Sequence, residues 1–128
     1  YDSYMPLLWQ FENGQYKMKR SFFEDKALYF DNNPIHFVDR VNAPMLLWTG
    51  TKDENVRWDH TMEFYLGLKR SNKEVIALFY PTQEHILEKG SRAITDLNQR
   101  TMEWWDYFLK DKKDVEWISK QLKKRLSR

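Results

Sequence analysis

Pro44-Met45-Leu46-Leu47-Trp48-Thr49-Gly50-Thr51-Lys52-Asp53 is the stretch that decides the fold. Five residues without a charge, from Met45 to Thr49, follow a proline and are stopped by a glycine. Continuous apolar runs of this length, as opposed to alternating ones, are the mark of strands buried on both faces in parallel sheets. Working outward, the polar loop 50–55 leads into a helical pattern over roughly Trp58 to Arg70. Its expected apolar face holds Trp58, Met62, Tyr65, Leu66 and Lys69. Ser71-Asn72 ends that pattern, and Val75-Ile76-Ala77-Leu78-Phe79-Tyr80 is a second apolar run, closed by Pro81. A loop through His85 to Gly90 precedes a longer helix from about Arg92. Its stripe is Ile94, Leu97, Thr101, Trp104, Trp105 and Phe108, with the Trp104-Trp105 pair expected to cover the sheet. Asp114 reads as the N-cap of a tail helix bearing Val115, Ile118, Leu122 and Leu126.

Strand, helix, strand, helix is the α/β class, with the two strands parallel. In open parallel sheets the ligand crevice lies past the carboxyl ends of the strands. Asp53 follows the first strand and His85 the second, so the topology sends an Asp and a His to one sheet edge. Such a pair is two thirds of a hydrolytic triad: the His takes a proton from a nucleophilic hydroxyl, and the Asp fixes its tautomer. The order Asp before His suits an α/β-hydrolase, where the nucleophile comes first. A plainer reading of the same residues stays open, with Asp53 a turn-forming aspartate and His85 a surface histidine.

Upstream the pattern is less regular. Residues 16–27 mix aromatics with charges and suggest a short helix. Asn32-Asn33-Pro34 is a turn that opens a helical segment through Ile35, Phe37 and Val38. The chain divides on this reading into an irregular, partly helical lead-in over 1–40, a β-α-β-α unit over 41–111 and a basic helix over 112–128.

Composition narrows the function classes. With 21 Lys and Arg against 19 Asp and Glu, the net charge of +2 does not point to nucleic acid as a partner. The absence of cysteine excludes disulfides and thiolate metal sites, and no HExxH pairs the histidines, so no metal is expected. No glycine-rich phosphate loop is present, and no cofactor is expected. His36 reads as a packed or half-exposed residue, and His60 as facing solvent. The segment Lys120 to Arg128 carries five cations and no acid, and reads as the solvated face of an end helix. The longest apolar stretch, Val75 to Tyr80, is far short of the ~20 residues of a membrane span.

Several of these features together resemble the prolyl oligopeptidase family of serine peptidases. Gly50-Thr51-Lys52-Asp53-Glu54-Asn55-Val56 is similar to that family's G-x-x-D-x-x-V loop, and Pro44-Met45-Leu46-Leu47 to its proline-led strand. Asn33-Pro34-Ile35 looks like its Ser/Asn-Pro-Ile segment. Leu78-Phe79-Tyr80-Pro81 followed by His85 resembles its tyrosine-proline and histidine ending, and Trp104 to Leu109 its closing aromatic motif. The resemblance runs from about Asn33 to Leu109. It implies the carboxy-terminal portion of an α/β-hydrolase fold, with parallel strands and flanking helices, in which Asp53 is the triad acid and His85 the base. One departure is Glu84, where a small residue is frequent before the histidine.

The family's nucleophile lies in G-x-S-x-G, and no serine here has glycine at both positions. The expectation is therefore a fragment whose nucleophile and oxyanion hole precede residue 1. It would be inert alone, while its parent hydrolyses peptides. An esterase fragment and a non-catalytic α/β interaction module are the alternatives, since Asp-to-His spacing does not separate ester from amide substrates. Loss of neighbouring strands would leave a raw sheet edge, which suggests a homo-oligomer.

Overall fold

The computed structural model describes residue 12 and residues 18–123. Two compact units divide the chain, Tyr1–Arg40 and Val41–Arg128.

In the second unit, strand β1 (Met45–Gly50) runs parallel to β2 (Val75–Tyr80), in register from Met45 opposite Val75 to Gly50 opposite Tyr80. Parallel neighbours need a crossover, and helix α2 (Trp58–Arg70) supplies it, packing on both strands. Helix α3 (Arg92–Leu109) follows, with the Ser91 hydroxyl at its N-cap accepting from the Ile94 amide at 3.2 Å. Helix α4 (Glu116–Lys123) closes the described chain.

Alternation along β2 sorts its side chains between two faces. Ile76 packs with Trp104 of α3 and Ile118 of α4, and Leu46, Leu78, Phe108, Val115 and Leu122 gather round them. Tyr80, at the end of the strand, packs with Leu87 and Leu97. From the opposite alternation, Phe79 meets the Trp58 ring edge-on at 6.3 Å. Ile118 is fully buried, and sequestering such a side chain contributes about 1.5–3 kcal/mol. The tail helix thus shares the core of its unit.

Four local expectations need correction. β1 is not buried on both faces: Met45 to Leu47 are half-buried and Trp48 is 40% exposed. Among the described residues β1 pairs with β2 alone, and the core residues of α3 and α4 gather on Ile76 of β2. On α2 the packed face centres on Leu68, which is fully buried, while Trp58 and Leu66 are exposed. Leu66 is two residues from Leu68, about 200° round the helix and so on its far side. Trp104 is buried as expected, but Trp105 is 51% exposed, because one step of about 100° carries it off the sheet. α4 begins at Glu116, with Asp114 in the preceding turn and Leu126 outside the described residues.

The first unit, where described, holds helix α1 (Lys26–Asp31), opened by the Asp25 carboxylate accepting from the Leu28 amide at 3.2 Å. The short helix therefore starts only at the end of the stretch 16–27 and runs past it to Asp31; residues 16 and 17 lie outside the described residues. A 3-10 helix over Pro34–Arg40 follows, kinked at Phe37. The Phe22 ring meets Phe23, Tyr29 and Phe30 edge-on.

Candidate active site

β1 and β2 end side by side, and each hands the chain to a loop. Gly50 makes their close approach possible. A Cβ at that position would lie 2.3 Å from the Gln83 carbonyl oxygen and 2.4 Å from that of Glu84. The two loops are then stitched together by main-chain bonds. The Thr51 amide donates to the Tyr80 carbonyl at 3.0 Å and the Lys52 amide to the Gln83 carbonyl at 2.9 Å. From the other loop, the Thr82 amide donates to Thr51 Oγ1 at 3.0 Å. Thr82 adopts φ 63°, a left-handed turn that reverses the chain after Pro81.

Asp53 occupies the loop after β1 and divides its carboxylate between two tasks. Oδ1 accepts from the amides of Asn55 at 2.9 Å and Val56 at 2.8 Å, which shapes its own turn. Oδ2 lies 2.9 Å from His85 Nδ1. The turn-forming aspartate and the histidine partner are thus one residue, each function taking one oxygen. Burial works against ionisation of Asp53, yet the N–H groups of Val56, His85 and Asn55 outweigh it and hold the carboxyl below its ordinary pKa. An ionised carboxylate only accepts, so Nδ1 of His85 carries the proton and donates it. Nε2 of a neutral ring is then left with a lone pair, the state a general base requires. Exposure is divided to match, with the Asp53 side chain 6% exposed and that of His85 48%.

The structure therefore brings Asp53 and His85 together across 32 positions of sequence. The other two histidines are carried by other elements. His60 is half-buried on α2 rather than solvent-facing, and His36, exposed in the first unit, meets the Phe30 ring edge-on at 5.0 Å. Glu84 is exposed. Of the basic segment, residues 124–128 lie outside the described residues.

Sequence reading missed three supports of the site. Gly50 was legible only as a strand stop. Leu87, 4% exposed, sits in a loop where no periodicity marks a core residue. Asp96 lies beside the α3 stripe and accepts from the Tyr80 hydroxyl at 2.9 Å.

Two parallel strands whose carboxyl ends carry a buried Asp and an accessible His define a part of an α/β-hydrolase domain. Comparison with known proteins agrees: the chain matches the prolyl oligopeptidase family over residues 2–112, and it belongs to that family of serine peptidases. It is 37% identical over 63 residues to the acylamino-acid-releasing enzyme of Homo sapiens, covering 49% of this chain and 9% of that protein. It is 26% identical over 86 residues to dipeptidyl-peptidase 4 of Giardia intestinalis, covering 67% of this chain and 11% of that one. With a Bacillus subtilis protein named uncharacterized peptidase YuxL it shares 24% identity over 97 residues, 73% of this chain and 15% of the relative. The matched stretches thus span about a tenth of these curated relatives. Among the described residues no helix is long and apolar enough to cross a membrane.

Proposed function

We propose that this chain supplies the acid and base of a Ser-Asp-His triad that hydrolyses peptide bonds, with the nucleophilic serine contributed from outside these 128 residues. The observation that carries this reading is the 2.9 Å contact between the buried Asp53 carboxylate and Nδ1 of the accessible His85. In the first half-reaction, Nε2 of His85 takes the proton of the serine hydroxyl as its oxygen attacks the scissile carbonyl. The imidazolium that forms is stabilised by Asp53, and it returns the proton to the leaving amine as the C–N bond breaks. Water then enters by the same base and releases the acyl group. The names of the relatives, a dipeptidyl-peptidase among them, favour a peptide over an ester as substrate.

The test is made in the full-length protein with paired peptide and ester chromogenic substrates. His85→Ala is expected to abolish turnover, and Asp53→Asn to lower kcat by roughly 10⁴ through the wrong tautomer. Retention of peptide hydrolysis by His85→Ala would refute the assignment. Ester turnover without peptide turnover would move the protein to the acyl hydrolases. The 128-residue chain itself, lacking a G-x-S-x-G elbow, should take no label from a fluorophosphonate probe.

A further inference from the structure

His85 is half exposed, so burial of its own ring does not hold it, and residues 81–91 contain neither helix nor strand. Two anchors flank it. Before it, Tyr80 ends β2 with its ring packed against Leu87 and Leu97 and its hydroxyl donating to Asp96 Oδ2 at 2.9 Å. The same oxygen accepts from Arg100 Nε at 2.8 Å, and the Arg100 guanidinium lies 4.9 Å over the Trp117 ring. After it, Leu87 is buried in the cluster that Tyr80 and Leu97 complete. Asp96 and Leu97 are consecutive on α3, so both ends of the histidine loop rest on one turn of that helix. The Tyr80 carbonyl meanwhile accepts from the amides of Thr51 at 3.0 Å and Gln83 at 3.4 Å. The residue whose hydroxyl Asp96 fixes therefore also helps join the aspartate loop to the histidine loop, beside the Lys52–Gln83 and Thr82–Thr51 bonds.

We propose that the Tyr80–Asp96 hydrogen bond, braced by Arg100, is a positioning element for His85, seating the end of β2 so that Nδ1 meets Asp53. The inference rests on the acid–base reading of Asp53 and His85. Tyr80 and Asp96 act through the loop and not on reacting atoms. Burial, reinforced by the bond to Asp96, raises the Tyr80 pKa, so the phenol remains a donor through the neutral range.

The experiment follows the low-field Nδ1 proton of His85 by NMR in the 128-residue chain, assigned by its loss in His85→Ala. Tyr80→Phe and Asp96→Ala are each expected to speed its exchange with water by roughly tenfold, the opening that one lost hydrogen bond allows. Asp96→Asn keeps an acceptor oxygen for the hydroxyl and should restore slow exchange. If Tyr80→Phe fails to fold, the contrast between Asp96→Ala and Asp96→Asn decides. An unchanged Nδ1 proton in Asp96→Ala, with only the melting temperature lowered, would overturn the proposal by showing a purely structural bond. An Nε2-protonated neutral ring in the unmodified chain, read from the imidazole 15N shifts of His85, would instead overturn the acid–base reading, and this inference with it. In the full-length protein, Tyr80→Phe should lower kcat and leave KM in place; equal loss in both would count against positioning.

Discussion

Replacing Gly50 by alanine tests the geometry that joins the two loops. The added Cβ would stand 2.3 Å from the Gln83 carbonyl oxygen, 2.4 Å from that of Glu84 and 2.6 Å from the Gln83 carbonyl carbon. Ordinary non-bonded separations are about 3.5 Å, so the 83–84 backbone must retreat by about 1 Å. Those atoms are main chain, and the Gln83 carbonyl is also held by the Lys52 amide at 2.9 Å, so no side-chain rotation relieves the clash. Overpacking of this kind costs about 1–3 kcal/mol. In a domain of 60–100 residues each kcal/mol lowers Tm by about 4–8 °C. His85 is the next residue along, and a displacement of about 1 Å at a reacting group costs on the order of 10²-fold in rate. Thermal unfolding by circular dichroism gives the first quantity, and kcat of the full-length variant on a peptide substrate gives the second. Gly90→Ala is the control: φ is +80° there, but nothing lies within 4 Å of an added Cβ. That variant should lose about 1–2 kcal/mol from backbone strain while the His85 Nδ1 proton stays in place. A Gly50→Ala chain that melts with the unmodified one and keeps that proton would refute the close-approach argument.

Three further outcomes are expected. The folded pKa of Asp53 lies below its unfolded value, so its contribution to stability is complete above about pH 4 and is lost as pH falls through the depressed folded value. Thermal melts from pH 7 down to 2 should show that acid limb, and Asp53→Asn should make it shallower, with Asp96, whose carboxyl is also held below its ordinary pKa, keeping part of it. Trp104→Ala, which empties a core position between Ile76 and Ile118, is expected to cost about 3–5 kcal/mol by urea titration, against less than 1 kcal/mol for the exposed Trp105→Ala. Among the described residues the outer edge of β1 is unpaired and Trp48 beside it is exposed, so the 128-residue chain is expected to self-associate at micromolar concentration. A monomer by light scattering would refute that expectation.

The β-α-β-α order was legible because continuous apolar runs and three-to-four spacing report burial directly. The bounds of β2 and α2 fall where Pro81 and Ser71-Asn72 punctuate the sequence. Which face of each element was buried was less legible. Leu66 and Leu68 are equally apolar, and only the placement of α2 across the strands decides that Leu68 goes inside. Trp104 and Trp105 pose the same ambiguity, settled by where α4 comes to rest with Ile118. Of the site, Asp53 and His85 were legible because their positions after consecutive parallel strands bring them to one edge. The supports were not. A glycine that stops a strand does not reveal that two carbonyl oxygens press on it, and a loop leucine carries no period. Asp96 and Tyr80 are 16 residues apart and meet only once β2 and α3 have packed.

The division of labour between the two loops explains why the Asp is buried and the His is not. A carboxylate orients an imidazole best when water does not compete for it, and Asp53 is sheltered with three N–H donors in place of solvent. Those donors also keep it ionised against the burial that would protonate it. Had it become neutral, its own O–H could donate to the ring and reverse the tautomer, leaving Nε2 with the proton and no basicity toward a hydroxyl. Under the proposed role His85 must reach a substrate, which its half-exposed ring allows, and its order then comes from Tyr80, Leu87 and the contact of Gly50 with the Gln83–Glu84 backbone. On that reading, rigidity at the proposed base is held in the strand ends and the first half of α3, not in the loop that carries the histidine.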